Sequence, residues 1–347
     1  MMHSRTPAVI GRRGARRLPL LAVVALLLTA VGCWDDPPPG ITVNQDAIPR
    51  PADGATTPLI GRAGYGKTKG DGTAAFRVNC RFFRMDFVDP IVAPRRPRAS
   101  HLHIFFGNTT TGAWSTPETI RTTGGSTCTG GTANRSAYWA PAIIDTSTGD
   151  PVLSSSSWVD REHFLQVYYK SGYDGVQEHE IVNFPPGLRM IAGSAMSTGP
   201  QRDIVTYSCV DGNREIHGAT SFPDCSPGQL FVMSVKFPQC WDGRNLDSPD
   251  HKSHMAYGLG WYHRGCPDTH PVPLPQITQN YRYRVPSGGM DHWRLSSDVY
   301  DGPAGYSGHA DWMNGWDPAV FQRMLDNCYR GGYDCQMNLL GDGTALQ

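Results

Sequence analysis

The segment Phe76–Asp86, with the sequence FRVNCRFFRMD, gives the clearest indication of how this chain folds. From Phe76 to Phe82 its apolar side chains recur at every second position, with Arg or Asn between them, which is typical of a β-strand with one buried face. Similar segments lie between clusters of Gly, Pro and Asn: His101–Phe106, His163–Tyr169, Asp203–Cys209, Gln229–Phe237 and Ser253–Tyr262. We therefore predict a mainly β protein, a β-sandwich or jelly roll with long loops.

One short helix is predicted near the C-terminus. Asp317 is suited to be its N-cap and Pro318 to occupy its first turn. A single apolar stripe would follow, formed by Val320, Phe321, Met324 and Leu325, and the pair Gly331–Gly332 would end the helix. Residues 60–347 contain no second spacer and no internal repeat, so we expect one domain.

The N-terminal region predicts export. The arginines Arg12, Arg13, Arg16 and Arg17 precede an apolar run, Leu18–Val31, that has the length of a signal-peptide core and is short for a membrane span. The run ends with small residues before Cys33, which resembles a bacterial lipobox, so residues 1–33 are read as a signal peptide and Cys33 as the lipidation site. Ordinary secretion with cleavage nearby is the alternative. Residues 34–59 are rich in proline and are interpreted as a spacer.

Cysteine usage and charge agree with an extracytoplasmic location. Of nine cysteines, removal of Cys33 leaves eight, an even number that predicts four disulfides. Closeness in sequence favours the pairs Cys328–Cys335 and Cys209–Cys225, although the complete connectivity stays open. The formal net charge is zero, which argues against a nucleic-acid partner because such a partner requires a basic face.

Five segments are dense in polar, aromatic and histidine residues: Ser100–Asn108, Cys240–Met255, Cys266–Val272, Asp291–Asp298 and Gly308–Asp317. Two further segments, Ala137–Pro141 and Phe184–Gly193, add to the same resemblance. Together they resemble the DUF1996 family of secreted proteins of fungi and actinobacteria, over about residues 62–330. That resemblance implies a secreted protein and assigns no activity and no catalytic residue, since the family has no assigned function.

The histidines suggest a metal site or acid–base chemistry. In a strand, His101 and His103 would point to the same face. With His254 and His309 they are candidate metal ligands and catalytic residues, and Asp311 or Asp250 would add a carboxylate. No cofactor other than a metal ion is suggested.

Two other interpretations remain open. Without a metal, His103 or His309 would act as a base and an aspartate as an acid, with Arg189 or Arg294 steadying a negative charge. The carboxylates available for glycoside hydrolysis are Asp242, Asp247, Asp250, Asp298 and Asp311. Alternatively, the histidines bond backbone carbonyls, and many of these aspartates only form turns and caps.

Aromatic residues among the polar motifs favour a carbohydrate ligand, because flat rings stack on the apolar faces of sugars. The candidate substrate-binding residues are Tyr138, Trp139, Arg189, Trp241, Arg294 and Trp312. The leading hypothesis is an extracytoplasmic carbohydrate-active protein, in its sharpest form a glycoside hydrolase or polysaccharide lyase. The alternatives are a non-catalytic glycan-binding or wall-organising lipoprotein, and a metal-dependent oxidase or hydrolase. The expected partners are polysaccharide or cell wall, and the membrane through the lipid.

Overall fold

A computed structural model describes residues 40–64, 66–69, 73–154, 164–171, 173–212, 214–260 and 265–347. The predicted signal peptide and Cys33 lie outside the described residues. No helix in the described part of the chain is long and apolar enough to cross a bilayer.

The described residues are organised mainly as strands, which confirms the predicted mainly β class. The strands are β1 Ile60–Arg62, β2 Thr68–Lys69, β3 Ala75–Asp86, β4 His103–Gly107, β5 Ala137–Pro141, β6 Ile143–Asp145, β7 Asp150–Val152, β8 Phe164–Lys170, β9 Arg189–Gly193, β10 Val205–Asp211, β11 Arg214–Ala219, β12 Leu230–Lys236, β13 Cys240–Trp241, β14 Met255–Ala256, β15 Val272–Pro273, β16 Gln276–Arg284, β17 Trp293–Leu295, β18 His309–Met313, β19 Tyr333–Met337 and β20 Thr344–Leu346. The α-helices are α1 Pro117–Thr122 and α2 Pro318–Asn327, and the 3-10 turns are Gln45–Ala47, Tyr173–Gly175 and Tyr329–Gly331.

One large sheet runs through the domain in the order β11-β10-β12-β16-β8-β3-β4-β5-β18-β9, with antiparallel neighbours. The sheet curls so that its two halves face each other. The rings of Phe106 on β4 and Tyr281 on β16 lie 5.8 Å apart, centroid to centroid. The Gln279 side chain on β16 donates a hydrogen bond to the backbone carbonyl of Asp311 on β18, at 3.3 Å. A single continuous sheet therefore encloses the main core like a sandwich.

Strands β4, β5 and β18 are buried on both faces. Toward the main core they direct Ile104, Phe106, Tyr138, Ala310 and Trp312. Toward the outside they direct Phe105, Ala137, Trp139 and Met313 into a second, smaller core, which Val88, Ile91, Ala113 and Ile120 complete from the covering loops. Every residue of these three strands is buried, including the polar His309 and Asp311 of β18. The smaller core is called the outer core below.

The predicted start and buried stripe of the helix and the four disulfides are confirmed, but α2 ends at Asn327, and Gly332 instead ends the 3-10 turn Tyr329–Gly331 that follows. Helix α2 is capped by the Asp317 carboxylate, begins at Pro318 and buries Val320, Phe321, Met324 and Leu325. The bridges are Cys80–Cys128, Cys209–Cys225, Cys240–Cys266 and Cys328–Cys335. Four disulfides in one domain suggest an extracellular protein, because cytosolic proteins are kept reduced.

Two expectations need correction. In the predicted strand Ser253–Tyr262, only Met255–Ala256 pairs among the residues that the structure describes, the preceding residues form a turn, and residues 261–262 lie outside the described part. The predicted spacer also contacts the folded domain from Asn44 onward, where the Asn44 amide donates to the Gly149 carbonyl at 2.8 Å. The Ala52 amide donates to the Phe83 carbonyl at 2.7 Å, and Ala55 and Ser126 exchange two backbone hydrogen bonds of 2.8 Å. Its backbone is therefore held against the sheet.

Candidate metal centre

Three of the predicted histidines converge at one end of β4 and β18. His103 begins β4, His101 precedes it by two residues, and His309 begins β18. Ring centroids are separated by 4.2 Å between His101 and His103, 5.0 Å between His101 and His309, and 5.7 Å between His103 and His309. Strand β5 lies between β4 and β18 and pairs with both. The pairing of these strands therefore brings together histidines that are far apart in the sequence.

Backbone carbonyls orient two of these imidazoles. The Nδ1 of His103 lies 2.9 Å from the Val88 carbonyl oxygen, and the Nδ1 of His309 lies 2.8 Å from the Ser307 carbonyl oxygen. Because a carbonyl oxygen only accepts hydrogen bonds, Nδ1 carries the proton and the lone pair is on Nε2. Histidines that bind metals are usually oriented by this kind of bond.

Two of the remaining imidazole nitrogens are buried and lack hydrogen-bond partners among the described residues. The Nε2 atoms of His101 and His103 are buried, and neither has a partner in the described structure. Buried polar atoms are normally hydrogen-bonded, since desolvation without compensation costs about 1–3 kcal/mol for each group. Two adjacent buried nitrogens without partners are suited to a ligand that accepts their lone pairs. A metal ion is such a ligand.

Two buried carboxylates adjoin the histidines. Asp311 follows His309 by two residues on β18, and both of its carboxylate oxygens are buried without a hydrogen-bond partner. Asp89, after β3, accepts hydrogen bonds from the amides of Ile91 and Val92 at 2.8 and 2.9 Å. Ligand atoms of Asp89, His103 and Asp311 lie within 4.8 Å of one another, as do those of the three histidines.

Burial determines the protonation of the cluster. It lowers the pKa of His103 and of His309 to about 4. The pKa of His101 is also lowered well below its usual value, first by burial and then by the two neighbouring imidazoles. Burial and the proximity of Asp89 raise the pKa of Asp311 well above its usual value. The imidazoles are therefore neutral at pH 7, the form that binds metals.

The dimensions of the cluster fit one ion. A metal–nitrogen bond to histidine is about 2.0–2.1 Å long, so two ligands on opposite sides of an ion are about 4 Å apart. Within the group of three histidines, and separately within the group of Asp89, His103 and Asp311, the ligand atoms lie within 4.8 Å of one another. The cluster His101, His103, His309, Asp89 and Asp311 is called the metal centre below.

The other two predicted catalytic residues lie outside this centre. His254 uses both ring nitrogens, with Nδ1 2.9 Å from the Ser248 hydroxyl and Nε2 2.7 Å from the Arg189 carbonyl. Asp250 is exposed and organises a turn by accepting hydrogen bonds from Ser248, Lys252 and Ser253. These bonds lower the pKa of Asp250. His254 is therefore not available as a metal ligand, and Asp250 forms a turn, as the alternative interpretation expected.

The predicted arginines and Trp241 hold loops in place. Arg189 forms an ion pair of 3.1 Å with Asp247. Arg294 donates to the carbonyls of Tyr300 and Gly302 at 3.0 Å each. The indole nitrogen of Trp241 donates to the Asn245 carbonyl at 2.6 Å. Each polar group thus has a structural partner away from the metal centre.

Tyr138, Trp139 and Trp312 are completely buried. Tyr138 and Trp312 pack in the main core, and Trp139 stacks on Phe105 in the outer core with 5.7 Å between ring centroids. None has a face open to a sugar, so the expectation that they bind substrate is not supported. The motifs that contain them are doubly buried strands, which explains their aromatic content.

Asp89 was missed by the sequence reasoning. It stands before Pro90 in Phe87-Val88-Asp89-Pro90, a context typical of a turn. The only available signal was that an apolar stretch with a lone aspartate directly follows the strongest predicted strand. Its role depends on where the loop after β3 folds, which this pattern does not reveal.

These features define a disulfide-stabilised β-sheet protein with a buried histidine–aspartate cluster. The chain belongs to the DUF1996 family, whose model, described as a domain of unknown function, matches residues 89–316. The matched region begins at Asp89 and includes every residue of the metal centre. No curated protein and no solved structure matches the chain.

The lowered pKa of His309 predicts how stability depends on pH. The unfolded chain binds a proton at His309 below about pH 6.5, whereas the folded protein does so only near pH 4. Stability is therefore lost as the pH falls through this window, by up to about 3 kcal/mol. In metal-free protein, His309→Gln should remove this part of the pH dependence, measured by urea unfolding between pH 4 and 7. The raised pKa values of Asp89 and Asp311 act in the opposite direction and are present in both proteins.

The exposed His292 provides the control for this measurement. His292→Gln should retain the slope of the natural protein. Parallel curves for the natural protein and His309→Gln would show that His309 titrates normally and is not buried in its neutral form.

Proposed function

We propose that this protein is an extracytoplasmic metal-dependent enzyme whose ion is held by His101, His103 and His309. The observation that supports this most directly is the convergence of three imidazoles, two of them oriented through Nδ1 by backbone carbonyls. A purely structural histidine cluster would be expected to pair its buried Nε2 atoms, and those of His101 and His103 are unpaired.

The ligand set favours a transition metal. Imidazole suits zinc, copper, iron and nickel, whereas calcium and magnesium prefer oxygen ligands throughout. Such an ion, when bound, polarises a substrate oxygen and makes a bound water more acidic. His101 is the most accessible of the three histidines, so substrate would approach from its side.

The surrounding residues have distinct roles in this proposal. Asp311 is placed to stabilise the positive charge of the ion and to accept a proton beside it. The outer core adjoins the centre, since the buried Phe105 ring lies 6.0 Å from the His103 ring, centroid to centroid. The Lys252 ammonium donates to the carbonyl of Gly193 at 2.5 Å, next to His309 in the sheet. That positive charge favours an anionic form of Asp311.

Elemental analysis tests the proposal. Purified protein is stripped with a chelator, dialysed against equimolar zinc, copper, manganese and calcium, and washed. We expect about one transition-metal ion per chain. Retention of zinc alone would favour a hydrolase, and retention of copper an oxidase. Failure to retain any transition metal would contradict the proposal.

A carbohydrate substrate and membrane attachment complete the proposal. The disulfides support an extracellular setting, where polysaccharides and the cell wall are the abundant polymers.

Attachment to the membrane would occur through a lipid on Cys33. Partitioning of the exported protein into a detergent phase tests this, and recovery entirely in the aqueous phase would favour ordinary secretion. A non-catalytic glycan-binding protein remains the second candidate, supported by the exposed Trp114 considered next.

A further inference from the structure

The loop that supplies Asp89 also forms an exposed surface beside the metal centre. The Asp89 carboxylate accepts hydrogen bonds from the amides of Ile91 and Val92, and its carbonyl accepts one from Ala93 at 3.0 Å. Ile91 is buried in the outer core. The start of this loop is therefore anchored at the metal centre, and its later part, residues 92–98, is called the arginine loop.

The arginine loop directs charge and apolar surface outward. Val92 is 56% exposed, and Arg95 and Arg96 are also exposed. Arg95 and Arg98 adopt positive φ angles of 62° and 57°, a conformation that is uncommon for residues other than glycine and is often retained at functional sites. The Arg95 amide donates to the Ala113 carbonyl at 2.6 Å, which holds this strained turn against a neighbouring loop.

Trp114 directly follows Ala113, whose carbonyl accepts the hydrogen bond from the Arg95 amide. Its side chain is 69% exposed, whereas Trp139, Trp312 and Trp316 are buried. A large indole left in water forgoes the free energy of burial, and exposed aromatics of this kind commonly mark binding sites. The Arg95–Ala113 hydrogen bond brings the backbone that carries Trp114 next to the arginine loop.

The arginine loop carries a positive charge, although the chain as a whole has no net charge. Residues 92–98 contain three arginines and no acidic residue, and the formal net charge of the chain is zero. Arginine binds carboxylate, sulfate and phosphate groups in a planar, bidentate geometry. An indole stacks on the apolar face of a sugar ring. An anionic sugar polymer satisfies both groups at once, whereas a neutral glycan uses only the indole and an acidic peptide mainly the arginines.

We propose that the arginine loop and Trp114 form the substrate-binding surface of the metal centre and recognise an anionic polysaccharide. This inference rests on the proposed function. The hydrogen bonds from Ile91 and Val92 to Asp89 connect the surface to the centre, and so does the bond between the Val88 carbonyl and His103.

Binding measurements on the exported protein test the inference. Calorimetric titration compares oligogalacturonide with a neutral cello-oligosaccharide of equal length, for the natural protein and for Trp114→Ala, Arg95→Gln and Arg330→Gln. Arg330 lies beyond α2 and is exposed, and it serves as the matched control. We expect Trp114→Ala to weaken binding of the acidic glycan about tenfold. Arg95→Gln should weaken it severalfold and make it less sensitive to salt. Arg330→Gln should leave it unchanged.

Further ligands distinguish which negatively charged group the surface recognises. Sulfated dextran distinguishes sulfate from carboxylate as the recognised group, and binding of either with the same loss in Arg95→Gln supports the inference. Equal affinity for the neutral glycan would overturn it, and so would absence of binding to every glycan. Binding of oligoglutamate at the same affinity, unaffected by Trp114→Ala, would also overturn it and indicate an acidic protein partner.

Metal content measured on the same samples separates this inference from the proposed function. Retained metal without glycan binding would overturn the inference and leave the proposed function standing. Glycan binding without retained metal would contradict the proposed function, and it would also overturn the assignment of this surface as the substrate site of a metal centre.

Discussion

Replacement of His103 by alanine is expected to lower metal affinity at least about 100-fold. Loss of partners that merely orient metal ligands typically costs 10–100-fold, and His103→Ala removes both a ligand and its bond to the Val88 carbonyl. An ion at 100 times its dissociation constant stabilises a folded protein by about 2.7 kcal/mol. Urea unfolding with and without metal should therefore show this gain in the natural protein and almost none in the variant.

Two further variants make this result interpretable. His103 is fully buried, so its truncation also destabilises the metal-free protein. His101→Ala removes a more accessible ligand and should abolish the gain with a smaller effect on folding. His292→Ala, at an exposed position, should retain the full gain. An undiminished gain in His101→Ala and His103→Ala would place the ion elsewhere.

Replacement of Asp311 by asparagine is expected to have opposite effects on the metal-free and the metal-loaded protein. The folded-state pKa of Asp311 is raised above that of the unfolded chain. Above the unfolded pKa, such a group lowers stability, increasingly as the pH rises. The amide removes this penalty and adds a donor to a cluster of acceptors. Metal-free Asp311→Asn should therefore be more stable at pH 7 by about 1–3 kcal/mol.

The same substitution should weaken metal binding by about tenfold or more, because it removes a negative charge from the vicinity of the ion. Urea unfolding of stripped protein and competitive chelator titration measure the two effects. Asp291→Asn is the control at an exposed carboxylate, and it should change neither quantity. If metal-free Asp311→Asn is less stable than the natural protein, Asp311 has a purely structural role.

The elements that were predictable from sequence are those determined by local patterns. The alternation of apolar and polar residues in Phe76–Asp86 predicted the central strand β3, and Asp317-Pro318 predicted the start of α2. Sequence separations of 16 and 7 residues gave two correct disulfides. The bridge Cys80–Cys128 spans 48 residues and depends on sheet pairing, which no local pattern encodes.

The site likewise has one part that a local pattern predicts and one part that depends on tertiary structure. The i, i+2 spacing placed His101 and His103 together, and their rings are indeed adjacent. Choosing His309 over His254 as the third member requires the positions of β18 and β9, because His254 is satisfied by a carbonyl on β9. The prediction that the aromatic motifs bind substrate was wrong for another reason. A run such as Ala137–Pro141, with two large rings, has the same composition in a binding cleft and in a strand covered on both faces.

The register of β4, β5 and β18 has a consequence for how the protein matures. His103 and His309 are 206 positions apart (309 − 103), and they meet only after β18 has docked onto β5. Closure of so long a segment comes late in folding. An ion therefore cannot nucleate this domain in the way zinc nucleates a short finger. Under the proposed function, metal binding would follow the docking of β18, and an exported protein would take the ion from the surroundings of the cell and not from a cytosolic supply.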